Sequence, residues 1–139
     1  MDIDTAVNTL KQLIYQLITP GMFTPEVNRQ LEVFKQSDNW AVCQKVLSEP
    51  STPENQQLML FCAQCCLEYV GRYWQQQPHA AKEERRNFLW LFVSSRVSGQ
   101  AAVPLSLLNS VVDVLFLSFN VFDGDILSLY FCLGLGERY

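Results

Sequence analysis

"RQLEVFKQSDNWAVCQKVLSE" (Arg29–Glu49), and then "LMLFCAQCCLEYVGRYW" (Leu58–Trp74), are the stretches on which the fold turns. Val27, Leu31 and Phe34 recur at helical spacing, and so do Trp40, Cys43 and Leu47. Apolar side chains three and four apart share one helix face, whereas a strand would alternate them. Ser37-Asp38-Asn39 supplies a polar turn between the two ladders, with Asp38 as a candidate cap for the second. The third ladder, Leu58, Phe61, Cys65 and Tyr69, has Leu60, Leu67, Val70 and Trp74 on its other faces. A helix apolar most of the way round needs cover on more than one side.

Each outer ladder follows a Thr-Pro-Glu trio, at Thr24-Pro25-Glu26 and Thr52-Pro53-Glu54. Threonine can accept a bond from an orphan helix N–H, and proline fits the first helical position. Glutamate in the first turn complements the helix dipole. Both trios therefore read as helix starts, the second opening a long helix from about Pro53 to Trp74.

Working outward, Val7, Leu10, Ile14 and Leu17 mark a first helix that Thr19-Pro20-Gly21 stops. Beyond Gln75–His79, a helix from about Ala80 to Val97 begins charged ("KEERR", Lys82–Arg86) and ends apolar. Another spans Pro104 to about Phe122, carrying Leu105, Leu108, Val112, Leu115 and Phe119. The tail "ILSLYFCLGLGERY" (Ile126–Tyr139) has no clear period. The expectation is an all-α protein, an α-solenoid of about three antiparallel helical hairpins. Leu105, Leu115 and Phe119 are expected to face solvent unless something caps them.

Composition excludes several classes. At 139 residues and 49% hydrophobic content, the chain can bury a core. A net charge of −4 does not suit a nucleic-acid binder, which carries a basic stripe. The Met-Asp-Ile-Asp-Thr start lacks the basic and apolar regions of a secretory signal. Five cysteines, an odd number, read as reduced thiols, and a Cys62–Cys66 bridge across one helix turn would be strained.

Catalytic equipment is not apparent. "CAQCC" (Cys62–Cys66) lacks the paired spacing of a zinc site, with Cys43 and Cys132 isolated and His79 the only histidine. Clustered on a helix, these cysteines read as small core hydrophobes. His79, after "QQQP", reads as an exposed polar residue, and Gly134 and Gly136 form no phosphate loop. "KEERR" reads as a solvated face with i, i+3 and i, i+4 pairs. The run Val111–Phe122 is apolar, but Asp113 and Asn120 interrupt it, which disfavours a membrane span. No catalytic, cofactor or metal site is expected, and the chain is not expected to be an enzyme.

In order and spacing, Leu31, Phe34, Ser37, Trp40, Cys43, Leu47, Phe61, Ala63, Gln64, Val70 and Trp74 resemble the N-terminal repeats of the importin-β superfamily, with a pattern closer to the exportins. The resemblance covers about Val7 to Val97. It fades from Ser98, where "AAVPLSLLNSVVDVL" (Ala101–Leu115) departs from the family's next repeat. It implies HEAT-type repeats over 1–97 and a divergent apolar segment over 98–139, either a partial repeat or a capping tail. Since such receptors are long superhelices, it also implies a short or truncated form.

The function it implies is binding: the GTP-bound form of the small GTPase Ran, transport cargo, and shuttling between nucleus and cytoplasm. Gln64 and Glu68, polar on an otherwise apolar helix, are the candidate partner-binding residues, although Glu68 is also placed to pair with Arg72. The alternatives are a HEAT-like interaction scaffold unrelated to transport and a tail-anchored membrane protein using residues from about Val103.

Overall fold

The computed structural model describes residues 2–97 and 105–120. These form α1 (Ile3–Ile18), α2 (Pro25–Gln36), α3 (Trp40–Leu47), α4 (Gln56–Tyr73), a 3-10 turn at Trp74–Gln76, α5 (His79–Val97) and α6 (Leu105–Asn120). The described residues form helices and no strands, an all-α architecture.

Local chemistry accounts for most of the helix ends. The Asp2 carboxylate accepts the Thr5 N–H at 2.7 Å and starts α1, and this bond holds its pKa below the usual value. Thr19 closes α1 through its N–H to the Tyr15 carbonyl, and Gly21 then turns the chain at φ +82°, a left-handed conformation that favours glycine. Thr24 caps α2 by accepting the Val27 N–H at 3.2 Å, with Pro25 in the first turn.

Two expected caps are corrected. Asn39, not Asp38, occupies the position before α3, and it makes no side-chain cap bond. Its amide donates instead to the Phe34 carbonyl at 2.8 Å, which ties the end of α2 to the start of α3. The second Thr-Pro-Glu is a turn rather than a helix start, and α4 begins at Gln56. Asn55 organises that turn: its side chain accepts the Thr52 N–H at 2.8 Å and donates to the Pro50 carbonyl at 2.9 Å. An Asx side chain closing a turn around its own backbone competes with helix extension, so the helix waits until the turn is complete.

One core runs from α1 to α6. α1 packs on α2, α3 and α4; α2 and α3 pack on α4; α6 packs on both α4 and α5. α3 buries Trp40, Val42, Cys43, Val46 and Leu47, so this short helix is held by packing rather than by caps. Leu107, Val111, Val114 and Leu115 of α6 join the core. Leu115, expected to face solvent, is therefore buried, because α6 lies against α4 and α5. The Leu105 and Phe119 side chains, residues 98–104 and the tail from 121 to 139 lie outside the described residues. Among the described residues, no helix is long and apolar enough to cross a membrane.

Candidate partner-binding face

α4 presents two chemically different sides. Met59, Cys62, Ala63, Cys66 and Val70 are buried, whereas Gln64, Leu67, Gly71 and Arg72 are exposed and Glu68 is half-buried. The exposed side meets α2 in a shallow groove of about 510 Å³ lined by Lys35, Gln64, Leu67, Glu68, Gly71 and Arg72. Two contacts pin the α2–α4 seam. The Phe34 and Phe61 rings pack 6.1 Å apart, and the Tyr73 hydroxyl donates to the Gln36 carbonyl at 2.9 Å. Phe34 and Phe61 belong to the apolar ladders of the sequence, whereas Tyr73 and Gln36 do not.

Gln64 and Glu68 line this groove together. Glu68 and Arg72 pair at 3.3 Å, one helix turn apart, through a single bond from Arg72 Nε to Glu68 Oε2. Sequence reasoning missed Lys35, Leu67 and Gly71 as part of the same surface. An isolated glycine in an apolar helical pattern was the available signal for Gly71. Lys35 could not be found from periodicity within one helix, because its place depends on how α2 crosses α4.

The remaining motif-bearing residues serve the interior. Cys43 is not isolated, as its sequence position suggested: α3 brings its thiol beside Cys62, Cys65 and Cys66 of α4. Hydrogen bonding to Cys62, then to Cys65, with burial, pushes the Cys43 thiol well up. Hydrogen bonding to Cys43 and burial do the same at Cys66. Cys43 and Cys66 stay protonated at neutral pH, and all four cysteines pack as small hydrophobes. Among the described residues, no group of three or more His, Cys, Asp or Glu side chains is arranged to hold a metal ion. His79 is exposed, with Nε2 3.2 Å from Glu83.

"KEERR" is not simply a solvated face. Arg85 lies over the Trp40 and Tyr69 rings, 5.5 and 5.0 Å from their centroids, and donates to the Tyr69 hydroxyl and to Gln77 Oε1 at 3.0 Å. Arg86 lies 5.3 Å over the Trp74 ring and donates to the Ser118 carbonyl at 2.6 Å. One arginine thus joins α5 to α3 and α4, and the next joins α5 to the end of α6. Guanidinium groups suit this work, since they stack on rings while keeping in-plane donors. The i, i+3 and i, i+4 spacing predicted surface pairs because these aromatic partners are far away in sequence.

Comparison with protein-family models, curated proteins and solved structures finds no match to this chain.

Proposed function

We propose that the chain is a protein-binding helical scaffold, an N-terminal fragment or short form of a nuclear transport receptor of the importin-β superfamily. Its binding face is the α2–α4 surface, and its partner is the GTP-bound form of a Ran-type small GTPase. Cargo binding and shuttling between nucleus and cytoplasm follow from the same reading.

The observation that carries it is the order of helix packing. Contacts run mainly between consecutive helices and between helices two apart: α1 with α2 and α3, α2 with α4, α3 with α4, α4 with α6, α5 with α6. α1 also touches α4. The pairing fits stacked hairpins along α2, α4 and α6; on the other side α1 meets α3, and α5 reaches α3 through Arg85 over the Trp40 ring. The residues of the resemblance support it as packing groups: Leu31, Trp40, Cys43, Leu47 and Ala63 are buried, and Phe34 meets Phe61 across the hairpin boundary. An open groove with a polar rim suits a protein surface better than a small enclosed ligand.

Three hairpins offer only part of the long curved surface of a complete receptor, so affinity is expected near the micromolar range, about −8 kcal/mol. The test is a pull-down with Ran loaded with GTP or GDP. Retention of the GTP form over the GDP form supports the reading. Equal retention, or none at micromolar protein, removes Ran binding as the activity of this chain.

A further inference from the structure

We propose that the α2–α4 groove docks a protein segment bearing a carboxylate, received by Lys35 and Gln64, while an apolar neighbour on that segment settles on Leu67 and the bare backbone at Gly71. The proposal rests on the reading of α2–α4 as the binding face and supplies the chemistry of what that face takes.

Gly71 is the first observation. It lies in the last turn of α4, where an alanine would be the better helix former. Its φ is not in the left-handed region, and the helix is capped elsewhere, at Trp74, so no backbone conformation requires glycine here. A Cβ built at Gly71 would have nothing within 4 Å. Internal packing does not require the missing side chain either. What its absence does provide is a notch in the groove wall, where another chain can approach the helix backbone closely.

Unspent polar capacity is the second observation. Within the groove, Glu68 and Arg72 answer each other. Lys35 is half-buried in the groove wall and makes no ion pair with any described residue. The exposed Gln64 amide has no hydrogen-bond partner among the described residues. With Lys35, Arg72 and Glu68, the groove carries a local charge of +1 (two cations, one anion), on a chain whose net charge is −4. An ammonium and an amide N–H lining one groove are donors matched to a carboxylate. Leu67, 39% exposed in the same groove, offers the apolar contact that a purely ionic site would lack. The complementary occupant is therefore an acidic amphipathic segment of a partner protein, not an anion alone.

The experiment uses the full chain and a fluorescein-labelled amphipathic peptide of glutamate and leucine, read by fluorescence polarisation, with a lysine-for-glutamate peptide as the reverse-charge probe. The acidic peptide is expected to bind and the basic one not to. Lys35→Glu should weaken binding about tenfold, as expected when an attraction becomes a repulsion. Gly71→Leu should weaken it comparably while leaving the melting temperature unchanged or raised, because a Cβ there meets nothing within 4 Å and leucine is the better helix former. Equal binding of the two peptides, no binding of the acidic one, or indifference to both variants overturns the proposal. Ran loaded with GTP, run beside the peptides, separates the two readings. Acidic-peptide selectivity without Ran binding removes the transport reading and leaves the groove. Ran binding unaffected by either variant keeps Ran as a partner and removes the α2–α4 groove as its site, overturning this proposal.

Discussion

The two sides of α4 are built from the same helix and held to opposite requirements. Inward, Met59, Cys62, Ala63 and Val70 are fully buried in the core. Outward, Gly71 has nothing within 4 Å of where a side chain would begin, and Gln64 and Leu67 face solvent. A residue inside is chosen for the volume it fills, whereas one in the groove is not explained by anything in the fold. The difference separates positions that make the protein stable from positions the fold does not require.

The sharpest break of this contrast is on the inner side. Met59→Ala empties a fully buried site and should cost about 2–5 kcal/mol, read as a lower urea midpoint. Alkaline pH should act on the same interior. The Cys43 and Cys66 thiols are held above their ordinary value of 9.0, so the folded state keeps protons that the unfolded chain releases. Their contribution is complete below pH 9 and is lost as pH rises toward the raised folded-state values, so stability should fall on going alkaline. Urea melts at pH 8 and pH 10 measure this.

Next in size is the arginine joining α5 to α6. Arg86→Met removes the charged hydrogen bond to Ser118 and the stacking on Trp74, an expected loss of about 2 kcal/mol. Hydrogen exchange should show α6 opening before α3. Thr24→Ala removes a cap and should cost about 1 kcal/mol, whereas Thr52→Ala, in a turn that uses only its backbone, should cost a few tenths at most, on the order of surface changes. On the outer side the sign reverses. Gly71→Ala should raise stability by up to about 1 kcal/mol, visible as a higher melting temperature.

These positions also show where the sequence could be read and where it could not. The first Thr-Pro-Glu and the ladders Val7-Leu10-Ile14 and Trp40-Cys43-Leu47 follow local rules, and the helices stand where periodicity puts them. The second Thr-Pro-Glu obeys the same rule less strongly than Asn55 obeys another, and a tripeptide carries no sign of that competition. Arg85 and Arg86 escaped because their ring partners, Trp40, Tyr69 and Trp74, come from other elements. The groove was half visible: Gln64 and Glu68 stood out as polar residues on an apolar helix, but Lys35 joins them only through the crossing of α2 over α4.

The central claim is that the outer side of α4 is the binding side. Its most direct measurement is amide chemical-shift mapping of the chain by NMR during titration with Ran loaded with GTP. The expected result is a set of perturbations concentrated at Lys35, Gln64, Leu67 and Gly71 that GDP-loaded Ran does not reproduce. Perturbations centred on α1 and α3, or equal responses to both nucleotide states, would contradict it.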